Sequence, residues 1–273
     1  MSIPSLADLM RAAREFRQQA EYEADAVNLA TFESYAEKHA AVYSRNATKS
    51  LSLIGDLPTY RELQRFEAKK AWGALLCFDM RQSTDWEEEL GARGNHVLLH
   101  TYLPVMLQIA EALDGELIGM RGDGAILCFG RVEQDDGAPP VTEEQGKKAM
   151  YAVCDCGDAM VKAMQKVVNP VLREAQIITD KALGGRVKMG VGIDVGNFVC
   201  TRIGLPTAHD LTANGRPVNR CCKFAYGNDE VILSQRAYNL FPKRQGGKTR
   251  FRRDSRKAGA FILEYPESRR TLA

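Results

Sequence analysis

The chain has no long hydrophobic run. No window approaches the roughly 18 apolar residues that a membrane-crossing helix requires, and Met1-Ser2-Ile3-Pro4-Ser5-Leu6-Ala7-Asp8 meets charge too early for a secretory signal. There is no excess of one charge: 37 Lys and Arg face 35 Asp and Glu, a formal net charge of +2. Neither a nucleic acid nor a membrane is therefore expected as a partner. Zinc spacing is missing too. The seven cysteines include Cys154-Asp155-Cys156 and Cys221-Cys222, but no CxxC pair and no neighbouring histidine. His96 and His100 stand i,i+4 without the acidic residue of a zinc-protease motif, and His209 is isolated. Reduced, structural thiols and a cytoplasmic location are the expectation. Internal repeats and low-complexity tracts are absent.

What remains is ordinary globular composition, 45% hydrophobic and 26% charged over 273 residues, enough for one sizeable core. Residues 5–45 carry apolar positions at helical spacing, and Ser5 with Asp8 forms a helix-start signal. A looser stretch, 46–58, leads to a charged helical piece ending at Lys69-Lys70. Residues 1–70 thus read as a helical accessory segment before a main domain, 71–273. There Ala74–Phe78 reads as a buried strand stopping at Asp79, and Val97–Leu113 as an amphipathic helix. Glu116–Gly122 and Ala125–Gly130 form a hairpin broken at Asp123-Gly124. A helix over 143–168 follows, then a second hairpin, 186–195 with 197–203, turning near Gly196. A helix opens at Pro217, and strands near 231–233, 249–253 and 260–265 finish the chain. This order predicts an α/β sandwich with helices packed on a mixed sheet.

Two carboxylates occupy positions where strands end or turn, Asp79 and Asp123. Each alone reads as a turn residue. Together, on neighbouring strands, they form a donor set for Mg²⁺ or Mn²⁺ that must also hold phosphate oxygens. Met80-Arg81-Gln82-Ser83-Thr84 leads from the strand end into a helix, so its backbone N–H groups suit a polyphosphate. The basic run Arg250–Lys257 reads as a solvated face, and Cys221 and Cys222 as packing residues.

The segments Phe78–Thr84, Arg121-Gly122-Asp123-Gly124 with Phe129-Gly130, Gly190-Val191-Gly192-Ile193 with Gly196, and Gly215-Arg216-Pro217-Val218-Asn219 resemble the class III nucleotidyl cyclases. They occur in that family's order across about residues 71–235. The resemblance implies a class III cyclase-like α/β sandwich with a mixed, mainly antiparallel sheet, preceded by accessory helices, with 71–273 as the catalytic domain. It implies two Mg²⁺ or Mn²⁺ ions per site at Asp79 and Asp123, with Met80 beside them, and a triphosphate on residues 80–84. Asn219 matches the ribose-orienting Asn. Lys223 stands where the family has a transition-state Arg, keeping the charge but not the bidentate fork. A head-to-tail homodimer is implied, with metal residues from one chain and Asn219 and Lys223 from the other.

Both purine-reading positions depart from the family. Adenylate cyclases carry Lys and Asp where this chain has Gly119 and Thr212, and the guanylate residues are also missing. Arg121, two residues before Asp123, is expected on the same strand face as Asp123 and Gly119. Its donors suit pyrimidine carbonyls, and its length shortens the pocket against a purine. This pattern resembles the pyrimidine cyclases of bacterial antiphage systems. It implies cyclic UMP, from UTP in preference to CTP, made for a separate effector. A divergent adenylate or cytidylate cyclase, and an inactive nucleotide-binding module, are the alternatives.

Overall fold

The computed structural model describes residues 3–26, 52–134, 137–181, 183–205, 208–242 and 250–264. Its centre is β2 (Ala68–Met80), whose run AWGALLCF supplies apolar side chains to both faces, as an interior strand requires. β2 pairs antiparallel with β4 (Gly124–Glu133) on one side and β5 (Met189–Leu205) on the other. β3 (Glu116–Arg121) and β1 (Ser52–Leu53) lie beyond β4. Outside β5 lie β7 (Glu230–Ser234), β9 (Ala260–Glu264) and β8 (Arg250–Arg253), while β6 (Ala208–Asn214) folds back on the far half of β5. Among the described strands only the β1–β3 and β5–β7 pairs are parallel, so this nine-stranded sheet is mixed and mainly antiparallel, as expected.

Alternation along β2 splits its side chains between two cores. Leu76, Phe78 and Met80 join a core with Leu9 and Ala13 of α1 (Leu6–Ala26), Leu98, Tyr102 and Met106 of α3 (Ser83–Ala112), and Val153 and Met160 of α4 (Glu143–Ala163). Leu75 and Cys77 face the other way. They pack with Ile54, with Tyr60 of the short α2 (Pro58–Arg61), and with Val218 and Cys221 of α6 (Arg216–Phe224). Each fully buried Leu or Phe contributes about 1.5–3 kcal/mol. Asp79 continues the second series, and so lies on the α6 side.

A capping box starts α4: Gln145 N–H donates to Thr142 Oγ1 (3.2 Å), and Thr142 N–H to Gln145 Oε1 (2.9 Å). The helix runs past the expected 168, through a π-turn at Met164–Val168, into α5 (Asn169–Glu174). Buried Asn169 pins that junction, accepting from Val187 N–H (2.8 Å) and donating to the Met164 and Val187 carbonyls (both 2.9 Å).

Three readings change. The piece ending at Lys69-Lys70 is helical only over α2: the chain enters β2 at Ala68, and Lys69 and Lys70 pair with Cys200 and Val199 of the long β5. No turn occurs at Gly196, which keeps its place in the ladder opposite Gly73; the hairpin partner of β5 is β6. β3 stops at Arg121. The helix expected over 5–45 is present as α1, and the remainder of that stretch to residue 45 lies outside the described residues. No helix among the described residues is long and apolar enough to cross a membrane.

Candidate active site: a carboxylate pair beside a polar cavity

Asp79 is the penultimate residue of β2, and its partner in the β4 ladder is Gly124, the residue after Asp123. A Cβ on Gly124 would sit 2.1 Å from the Phe78 carbonyl oxygen, so only glycine permits this approach. The register thus sets the two carboxylates beside each other. Burial pushes the Asp79 carboxyl up to about 6, and the neighbouring Asp123 charge pushes the same way against the Arg81 guanidinium. Asp123 Oδ2 is buried with no hydrogen-bond partner. Two adjacent acids, one with an orphaned buried oxygen, fit a hard divalent cation better than they fit a satisfied turn. Among the described residues no third His, Cys, Asp or Glu joins them to form a larger cluster.

Arg81 Nη1 donates to Asp79 Oδ2 and to the Ala225 carbonyl, both at 3.2 Å, tying the end of β2 to the end of α6. Its backbone N–H is taken by the Lys188 carbonyl (2.8 Å). Gln82, in the left-handed region at φ 59°, turns the chain into α3, which begins at Ser83 and Thr84. The N–H groups of that first turn are the ones left for an anion. The Met80 side chain lies in the main core, so only its main chain is placed to take part.

Asn219 and Lys223 stand one turn apart on the exposed side of α6. The helix is seated on β5 because Gly192 carries no side chain: a Cβ there would lie 2.0 Å from the Cys221 carbonyl oxygen. Below it Asp194, fully buried, takes Arg236 (3.0 Å) and Arg220 of α6 (3.5 Å). Lys257, read from sequence as part of a solvated face, instead donates to the Lys223 carbonyl (2.6 Å) and lies 4.5 Å over the Phe224 ring. Burial, then the charges of Lys223 and Arg220, lower its pKa, marking a concentrated positive end of α6. Arg252 and Arg256 of the same run are paired with Glu264, Glu230 and Asp254. Cys221 is buried, as expected, whereas Cys222 is exposed. The neighbouring Cys221 and Cys77 thiols, then the Arg121 charge, hold the Cys222 thiol below its ordinary value.

Arg121, Gly119 and Thr212 line one cavity of about 440 Å³, walled by Ile118, Ile126 and Leu211. The alternation expected to align Arg121 with Asp123 does not extend that far. Asp123 sits in the turn beyond β3, and the β3–β4 ladder slips between Leu117 and Gly119. Gly119 opens onto empty space: a methyl group added there would meet nothing within 4 Å. Asp56 and Arg202 also line this cavity and had no signal in the sequence, since 50 or more residues separate each from the β3 end.

No protein-family model matches the chain, and no curated protein matches it. Solved structures do. The adenylyl cyclase CyaB from P. aeruginosa is 24% identical with a TM-score of 0.55, over 76% of this chain and 98% of that one. A class III adenylyl cyclase-like ATP-binding protein from Pseudomonas aeruginosa is 19% identical at 0.56, over 71% of this chain and 39% of that one. The guanylate cyclase domain of RhGC from Catenaria anguillulae, solved with GTP, is 12% identical at 0.51, over 74% of this chain and 100% of that one. At these identities the likeness is one of fold: the chain has the class III cyclase fold.

Proposed function

We propose that this chain is a metal-dependent nucleotide cyclase that converts a pyrimidine nucleoside triphosphate, UTP before CTP, to its 3′,5′-cyclic monophosphate and pyrophosphate. The observation that carries the reading is the Asp79–Asp123 pair, with an orphaned buried oxygen on Asp123, at the mouth of the α3 N-terminus. Two Mg²⁺ or Mn²⁺ ions held by Asp79 and Asp123 would neutralise the triphosphate and lower the pKa of the ribose 3′-hydroxyl. The chain's own residues do the rest. First-turn N–H groups of α3 receive phosphate oxygens. Asn219 orients the ribose for in-line attack of its 3′-oxygen on the α-phosphorus. Lys223, reinforced by the nearby Lys257 charge, stabilises the charge that builds as pyrophosphate leaves. Arg121 donates to a base carbonyl, with Gly119 and Thr212 shaping the pocket around it.

Asn219 and Lys223 project from the exposed side of α6, which suits their delivery to the metal residues of a second copy in a head-to-tail homodimer with two equivalent sites. The cyclic product would act as a signal to a separate effector, in antiphage defence by resemblance to the bacterial pyrimidine cyclases. One neighbour in fold is an ATP-binding cyclase-like protein, which favours a second reading, a nucleotide sensor without turnover. One experiment separates these. The purified protein is incubated with each of the four triphosphates and Mn²⁺, and products are identified by mass. Cyclic UMP with pyrophosphate is expected; a cyclic purine product contradicts the base assignment, and intact nucleotide contradicts the cyclase.

A further inference from the structure

The cavity that holds Arg121 has a wall from an unexpected source. Leu53, Gly55 and Asp56 belong to the segment before β2, yet they line the same space as Gly119, Arg121 and Thr212. The segment is firmly mounted. β1 pairs in parallel with β3, Leu53 opposite Leu117. Ile54 and Tyr60 are fully buried, and the Arg131 guanidinium lies 5.2 Å over the Tyr60 ring. From the opposite side Arg202 donates to the Leu63 carbonyl (2.7 Å) and the Arg61 carbonyl (3.2 Å). These bonds hold two of the Arg202 nitrogens to the segment, while Arg121 faces the cavity from the end of β3.

Asp56 ends the 3₁₀ turn Ile54–Asp56, and its side chain is exposed. Among the described residues no hydrogen bond or ion pair occupies its carboxylate. An ionised carboxylate only accepts hydrogen bonds, and a guanidinium only donates. Both on the walls of one 440 Å³ cavity complement a flat ring that offers an N–H next to a carbonyl.

We infer that Asp56 is a specificity-determining residue of the nucleotide site, accepting the N3–H of uracil while Arg121 donates to an adjacent carbonyl. The inference rests on the cyclase reading for its substrate. It also gives the stretch before β2 a role: Leu53, Gly55 and Asp56 form a wall of the base pocket. The uracil edge alternates carbonyl, N–H and carbonyl, so this pair of walls reads two neighbouring groups at once. A carboxylate 15 residues outside the apparent catalytic domain thereby contributes to substrate choice.

The test compares UTP with N3-methyl-UTP, which lacks that N–H, on wild type, Asp56→Ala and Asp56→Asn. Binding is measured by calorimetry, and turnover with Mn²⁺ alongside it. Losing a hydrogen bond to a charged group should weaken UTP roughly tenfold to hundredfold in Asp56→Ala, mainly in KM. Wild type should prefer UTP to the methylated analogue, and that preference should collapse in both variants. Their melting temperatures should match wild type, because among the described residues the carboxylate holds nothing in place. Unchanged UTP binding in Asp56→Ala, or a preference that survives the substitution, overturns the assignment. So does a loss that falls on GTP instead. A wild type that binds UTP without turning it over ends the cyclase reading, while the binding comparison still decides Asp56.

Discussion

Replacing Gly124 by alanine adds one methyl group at the point where β4 passes the end of β2. That methyl would stand 2.1 Å from the Phe78 carbonyl oxygen and 3.1 Å from the Asp79 Cα. Both neighbours are backbone, so no side chain can swing aside. Opening the contact to 3.0 Å asks for about 0.9 Å of strand separation at the Asp79–Gly124 pair. Overpacking of this kind costs about 1–3 kcal/mol, or roughly 2–12 °C in melting temperature for a domain of this size. Because Asp79 and Asp123 flank the displaced pair, their separation changes by a similar distance. A misplacement of about 1 Å is worth on the order of 100-fold in rate. Gly119→Ala is the control: its methyl meets nothing, so stability should stay within about 0.5 kcal/mol. The assay is thermal unfolding and cyclisation rate on both variants. A Gly124→Ala protein with wild-type melting and wild-type rate would refute the idea that this close approach builds the site.

Mixing Asp79→Ala with Asn219→Ala protein should restore partial turnover after subunit exchange, since one site of the mixed dimer regains all its residues. No recovery, with exchange confirmed, would place the whole site in one chain. Mn²⁺ affinity should fall as pH drops through about 6, where the raised Asp79 carboxyl takes up its proton, with roughly a tenfold loss per unit below it. The sign is opposite for the metal-free fold: a carboxyl raised in the folded state makes its stability contribution smaller as pH climbs from about 4 through 6. Calorimetry in two buffers should accordingly show proton release on Mn²⁺ binding at about pH 5.5 and little at about pH 8. Asp194→Ala should cost about 2–3 kcal/mol, less than for a fully buried pair because Arg220 and Arg236 reach solvent. By freeing Arg220 it should also loosen α6 and raise KM, as chemical denaturation and kinetics would show.

The sheet and its carboxylates were legible in the sequence because they rest on local signals. Leu75–Phe78 is an apolar run that stops at an acid, Asp123-Gly124 is a hairpin dipeptide, and Pro217 opens a helix. What was not legible depends on partners. Lys69 and Lys70 are charged, so their strand character is visible only once β5 is present to pair with them. Gly196 looks like a turn residue until it is seen opposite Gly73 in an unbroken ladder. The Asp56 wall, the Arg81 bridge to Ala225 and the turn of Lys257 toward α6 depend on contacts between distant segments, which no spacing encodes. Gly119, Arg121 and Thr212 stand out by their departures from a family pattern, and they do meet at one cavity. Arg121 nonetheless does not share a strand face with Asp123, because β3 ends before that residue.

The central claim is that Asp79 and Asp123 together carry the chemistry. Asp79→Asn and Asp123→Asn keep the size of each side chain while removing its charge. With UTP and Mn²⁺, pyrophosphate release and cyclic UMP formation followed by mass should fall by at least about 1000-fold in either protein, with melting temperature at or above wild type since a repulsive pair has been relieved. Cyclisation at wild-type rates by both folded variants would contradict the account.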